Sequence, residues 1–256
     1  MVEKWNETQR RTLVKTHVFE LQERRTVNPR NGRELPFFVL VAGPWVNVIP
    51  LTDEGRVIMV RQYRQGTEKV TLEIPGGMAE PEETPEQGAR RELLEETGYE
   101  AEHLELLGAV DSNPAIQTNE TYTYLARGLR KVAEPHPDQA EDLEVIEVEL
   151  DEIERLIHDG QITHSLVIAA FYWFDRAKDR RLRDRLEQVF EELAKGQQDS
   201  VASLAKRINA RLTADDLHSP QDFPELANDT DFNYQDGLLA GIETARTAFR
   251  SILKEP

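Results

Sequence analysis

Residues 77–99 read GMAEPEETPEQGARRELLEETGY, and this stretch decides the fold. Thr84 can cap a helix, Pro85 suits its first position, and Gln87 completes a capping box. Gly98 supplies a left-handed stop, so the spacing predicts a helix over 85–97. On that helix Glu92, Glu95 and Glu96 stand at i, i+3, i+4 and share one face. Ala89 and Leu93 lie on another face and can pack inward. Exposed like charges at this spacing repel by roughly a few tenths of a kcal/mol per pair. Partial burial suppresses their ionisation unless a cation arrives. Hard Mg²⁺ takes oxygen ligands and keeps water or phosphate oxygens for its remaining positions. The pattern therefore suits a divalent metal presented to a phosphate, with a solvated Glu-rich face as the plain alternative.

The charge is concentrated here. Residues 77–102 hold nine Glu and two Arg, net −7, in a chain of 256 residues with 31 Lys+Arg, 48 Asp+Glu and a net charge of −17. Such acidity argues against nucleic acid and anionic lipid as partners, because phosphate polymers need clustered Lys/Arg. It leaves open small phosphate esters met through a metal. The absence of Cys excludes disulfides, thiolate zinc sites and thiol catalysis. The N-terminus, MVEKWNETQRR, does not read as a signal peptide. The longest apolar run, Leu166–Phe174, is too short for the roughly 20 residues of a membrane span. A soluble, cytoplasmic protein is expected.

Outward from the helix, residues 12–22 and 35–42 read as strands around the turn Asn28–Gly32. Residues 45–51 and 57–63 read as strands joined in a hairpin by Asp53–Gly55. A short strand over 70–74 ends at Pro75-Gly76-Gly77. Strands follow over 104–110, 120–126 and 143–150, then helices over 151–159 and 164–178. Beyond this, Leu182, Leu186, Val189, Phe190 and Leu193 make one helical stripe. Val201, Leu204, Ile208 and Leu212 make a second, and Leu238, Ile242, Ala245, Phe249 and Ile252 a third. The polar stretch 215–236 separates the last two. The expected architecture is mixed α/β with a helical extension, packed more readily within the chain than on a partner.

Gly77, Glu83, Arg91-Glu92-Leu93, Glu95-Glu96, Gly98 and Tyr99 match every fixed position of the G-x5-E-x7-R-E-U-x-E-E-x-G-U signature of Nudix hydrolases, where U is aliphatic or aromatic. The chain resembles that family in this motif and more loosely over 1–178. The resemblance implies an α/β/α sandwich around a mixed sheet. It implies an N-terminal β-rich segment (1–48) and a Nudix domain (49–178), and the helical C-terminal extension (179–256) lies outside it. It further implies that Glu92, Glu95, Glu96 and the Gly76 carbonyl bind two to three Mg²⁺ or Mn²⁺ ions. Arg91 and Glu83 would brace the loop, with Glu95 also counted as catalytic.

Residues 57–66 and 71–77 resemble the branch that cleaves ADP-ribose and other nucleoside diphosphate sugars, and Pro114 stands sixteen residues after Gly98 as in ADP-ribose pyrophosphatases. The segment 112–120 departs from that branch's usual small-residue version, so GDP-mannose or another nucleotide sugar stays open as substrate. A non-catalytic sensor signalling through its tail is the reading from a different class. The resemblance implies that Arg64 contacts substrate phosphate and that Glu141, in the loop before the last main strand, acts as the catalytic glutamate. Trp45 can stack on a base or serve as a core or dimer residue. His136, in the same loop as Glu141, reads as solvated. The branch also implies a homodimer through residues 12–42.

Overall fold

The computed structural model describes residues 1–136 and 142–253. In chain order the strands are β1 (Asn6–Lys15), β2 (Glu20–Val27), β3 (Glu34–Val41), β4 (Trp45–Pro50), β5 (Arg56–Arg64), β6 (Lys69–Glu73), β7 (Gly76–Met78), β8 (Tyr99–Asp111), β9 (Glu120–Lys131) and β10 (Leu143–Glu149). The helices are α1 (Pro85–Thr97), α2 (Ile153–His158), α3 (Ser165–Ile208), α4 (Pro224–Ala227) and α5 (Thr230–Ile252).

The strands form three sheets, ordered β1-β2-β3, β10-β5-β6 and β7-β4-β9-β8. The third is mixed: β4 runs parallel to β9, while β7 and β8 are antiparallel to their neighbours. Side chains alternate across a strand, and both faces of the β4–β9 pair are covered. Val46, Val48, Tyr124 and Ala126 face Ala89 and Leu93 of α1. Ile49 and Leu125 face the other way, into a core shared with β5, α2 and Val167, Phe171 and Phe174 of α3. Helix, mixed sheet and helix thus make the expected sandwich, with the acidic helix as one outer layer.

Contacts divide the chain into two compact units, Met1–Ala177 and Lys178–Pro256, and α3 runs through the boundary. The second unit has its own core of Val201, Ala205, Leu212, Leu226 and Phe232. Within it Phe190 and Phe249 stack at 5.6 Å between ring centroids. Glu187 pairs with Arg246 and Arg250, and Arg250 first, then Arg246, hold its carboxyl down to about 2 against the opposing effect of desolvation.

Local structure departs from the sequence expectation in four places. The strand expected over 12–22 is broken by a turn in which the Thr16 hydroxyl accepts from the backbone N–H of Val18 and Phe19, a Thr-centred turn. β4 and β5 are no hairpin: they share the single bridge Leu51↔Val57 and then enter different sheets. β6 ends before Pro75 as expected, but Gly76-Gly77 then opens a further strand, β7, paired with β4. The first two tail stripes belong to one 44-residue helix, α3, except Leu212, which lies past its end.

Candidate active site

α1 folds as its capping residues dictate. Thr84 Oγ1 accepts from Gln87 N–H, the Gln87 side chain accepts from Thr84 N–H, and Gly98 caps the other end at φ 75°. This sets the registration of the carboxylate face against the loop before it. Arg91 sits at its centre. Its Nε and Nη2 donate to the two oxygens of Glu83 at 2.9 and 3.1 Å, and Nη2 also donates to the Met78 carbonyl. Its Nη1 donates to Glu92 at 3.0 Å and to Glu95 at 2.9 Å. Glu83, foremost, pushes the Arg91 guanidinium well above its ordinary value, and Arg91 in turn lowers the Glu83 carboxyl. One guanidinium thus holds three carboxylates that would otherwise repel.

Glu96, one turn on from Glu92, meets the strand before the helix. It is buried, and its Oε2 accepts from Gly76 N–H at 3.1 Å. That bond ties α1 to β7. β7 needs glycine here, because a Cβ on Gly76 would lie 2.3 Å from the Val46 carbonyl oxygen. A Cβ on Gly77 would lie 2.4 Å from Glu92 Oε1, so glycine leaves the space the carboxylate occupies. Among the described residues no three acidic or histidine side chains gather into a ready-made metal cluster. Glu92 and Glu95 are drawn to Arg91 and Glu96 to Gly76. The donor set itself fits a hard divalent cation, being three carboxylates and a neighbouring backbone carbonyl.

Arg64 is held by a second network. Its Nε and Nη2 donate to Glu73 at 2.9 and 2.7 Å. Glu73 also accepts from Thr71 Oγ1 at 2.6 Å and bonds His164 Nδ1 at 2.9 Å. Burial alone would raise the Glu73 carboxyl, but these bonds, Arg64's first, outweigh it and hold the group far below the usual carboxylate range. Only Ile74 and Pro75 separate Glu73 from Gly76, so the two networks lie at the two ends of one short link. Glu73, Thr71 and His164 were not among the residues expected from sequence.

Trp45 opens β4 half-buried, paired in register with Met78 and Thr121. Pro114 is exposed in a loop pinned to β3: Leu40 N–H donates to the Ile116 carbonyl and Thr118 N–H to the Leu40 carbonyl. His136 is exposed, and its backbone N–H donates to the Glu95 carbonyl at 2.7 Å. Glu141 lies outside the described residues.

The NUDIX domain model matches residues 42–171, which contain both networks. The chain belongs to the Nudix family. It is 39% identical over 126 residues to the methanol dehydrogenase activator of Bacillus methanolicus, covering 49% of this chain and 68% of that protein. It is 38% identical over 118 residues to an ADP-ribose pyrophosphatase of Bacillus subtilis (strain 168), covering 46% and 64%. It is 34% identical over 144 residues to an ADP-sugar pyrophosphatase of Mus musculus, covering 52% and 65%. The matches thus span about two thirds of these relatives' length. A crystal structure of an ADP compounds hydrolase superposes with a TM-score of 0.63 at 21% identity, over 71% of this chain and 97% of that one, and shares the Nudix fold. Nudix hydrolases as a family use divalent metals. No described helix is long and apolar enough to cross a membrane.

Proposed function

We propose that the protein hydrolyses the pyrophosphate bond of a nucleoside diphosphate sugar, and that its substrate is ADP-ribose, released as AMP and ribose 5-phosphate. The observation that carries this reading is the Arg91-centred network, in which Glu92 and Glu95 are retained on one helix face and anchored by Glu83. A module that only sensed nucleotide would have no use for the full set. The names of the Bacillus subtilis and mouse relatives support the substrate class.

Glu92, Glu95, Glu96 and the Gly76 carbonyl would hold two to three Mg²⁺ or Mn²⁺ ions, which when bound neutralise pyrophosphate charge and activate water. The chain's own residues do the rest. Arg91 and Glu83 keep the carboxylates in place. Arg64 meets a substrate phosphate with a guanidinium already oriented by Glu73. Trp45 stacks on the base, and the Pro114 loop borders the sugar. Glu141 takes the proton of the attacking water. The tether from His136 to the C-terminal turn of α1 supports this, since it brings the start of that loop to the carboxylate helix.

The functional organisation we propose is a catalytic domain over 49–178, a segment 1–48 that contacts a second copy, and an extension over 179–256. Exposed Leu13, Val14, Phe37 and Phe38 on β1 and β3 support a homodimer. Acidity and polarity of the chain support a cytoplasmic enzyme. The test is a substrate series with MgCl₂: ADP-ribose, GDP-mannose, NADH and diadenosine polyphosphates. ADP-ribose is expected to turn over fastest. Preference for GDP-mannose would replace the nucleotide, and tight binding without turnover of any of them would make the protein a sensor.

A further inference from the structure

β5 and β6 carry a line of buried polar side chains on one face, Gln62, Thr71 and Glu73, where packing alone would favour apolar ones. Glu73 is its end point, with 3% of its side chain exposed. Each of its oxygens accepts two hydrogen bonds: Oε1 from Arg64 Nε and Thr71 Oγ1, and Oε2 from Arg64 Nη2 and His164 Nδ1. A buried ionised carboxylate is costly to retain and adds little net stability over an apolar residue of its size. What it does uniquely is fix a guanidinium. Arg64 keeps 41% of its side chain in solvent, and the bidentate bond sets its plane as well as its position.

His164 completes the arrangement from a different element. An ionised carboxylate only accepts, so Nδ1 of His164 carries the proton and donates it. The side chain is 34% exposed. The His164 carbonyl accepts from Val167 and Ile168 N–H in the first turn of α3. Two residues on, the Leu166 carbonyl accepts from the buried Asn47 Nδ2 at 3.1 Å, and Asn47 stands opposite Gly76 in the β4–β7 pairing. The start of α3 is thereby pinned beside the same strand that meets Glu96.

We propose that His164 is a positioning residue for the substrate-phosphate subsite: its Nδ1–H locks the Glu73 carboxylate, and Glu73 fixes Arg64. This rests on the reading of Arg64 as a phosphate contact. Without the His164 donor, Glu73 keeps its charge but loses the bond that stops it swinging about the Arg64 axis, and the guanidinium moves with it. The loss falls on substrate binding, because none of these groups belongs to the carboxylate set of α1.

The experiment is steady-state hydrolysis of ADP-ribose with Mg²⁺, with calorimetric binding of ADP-ribose as a parallel readout, on the full chain and its Arg64→Ala, His164→Ala, His164→Leu, His164→Asn and Arg64→Ala/His164→Ala variants. His164→Ala is expected to raise KM, and the calorimetric Kd, about tenfold, the size of one hydrogen bond to a charged group, with kcat within about twofold. His164→Asn, which can place an N–H near the same point, restores the wild-type value. The double variant binds no worse than Arg64→Ala alone, as residues acting through one another are not additive. His164→Leu fills the space without a donor and shows the same rise where the alanine variant does not fold. An unchanged KM in a folded His164→Ala or His164→Leu protein, or effects that multiply in the double variant, would overturn the proposal. An unchanged KM and Kd in Arg64→Ala would instead remove the phosphate reading on which it stands.

Discussion

Arg91 answers the repulsion that three neighbouring carboxylates create, and it does so with a planar fork that no other side chain provides. Its bond to Glu83 spans the loop and its bonds to Glu92 and Glu95 span the helix face, so losing either partner should disturb all four groups. Glu83→Gln is expected to lower kcat on ADP-ribose by about 10- to 100-fold, as loss of groups that orient metal ligands does. Arg91→Lys should not rescue function, since a point charge cannot reach Glu83 on two bonds and the helix carboxylates at once; near-normal kcat in either variant would count against the network's role. Glu73 yields a pH prediction. Its folded value is depressed from an ordinary 4.5, so its contribution is present above about pH 4.5 and is lost as the pH falls below that. Glu73→Gln should cost about 3 kcal/mol near pH 7, the scale of breaking a buried ion pair. In urea titrations the gap to wild type should narrow steadily from pH 5 downward; a constant gap would show that Glu73 is not ionised in the fold. These two networks differed in legibility. The Glu83–Arg91 brace came with the family resemblance. Glu73 did not stand out, because in VTLEI (70–74) alternation puts Thr71 and Glu73 on what reads as a solvent face, whereas both faces of β6 are buried from Thr71 onward.

α1 is the element read most completely, since caps act through local chemistry. Thr84, Pro85, Gln87 and Gly98 each act within a turn of their own position, and the observed helix has the expected bounds. β7 was hidden because Gly76-Gly77 carries a turn signal locally, while its true reason is long-range: β4 passes too close for any Cβ. The same contrast separates two substitutions. Thr84→Ala removes a cap and should cost about 1 kcal/mol of stability, with kcat unchanged, because the cap lies more than two turns before Glu92 and the neighbouring Glu83 stays held by its two bonds to Arg91. Gly77→Ala should do the opposite. Its methyl would have to displace the Glu92 carboxylate, a movable side-chain end, so the fold persists while activity falls sharply. Melting curves and kcat measured on both variants check this. A Gly77→Ala enzyme as active as wild type would show that Glu92 is not needed where the structure puts it.

At the scale of the whole molecule, the net charge of −17 and the helical tail pose one question, namely what the second unit is for. Its stripes of Leu, Val, Ile and Phe were legible as helical faces, but their joining into one 44-residue α3 was not. Gly196 and the polar run after it carry a stop signal that propensity alone would honour, and tertiary packing of Ala194, Val201 and Ala205 overrides it. The cores give a sharper expectation. The buried residues of the larger core run from Ile49 to Ala177, and those of the tail's core from Val201 to Phe232. Among the described residues the two clusters have no member in common. A chain ended after Asp184 keeps about two helical turns beyond Ala177 and so protects the last residue of the larger core from fraying. It also retains Arg64, Glu73, His164 and the whole carboxylate helix. This shortened chain is therefore expected to be soluble, to melt in one cooperative transition, and to hydrolyse ADP-ribose at the full-length rate. Insoluble product would mean that the first unit's fold requires the tail. A soluble, folded but slow enzyme would mean that the tail acts on catalysis, and the long α3, which begins one residue after His164, would be the element through which it does so.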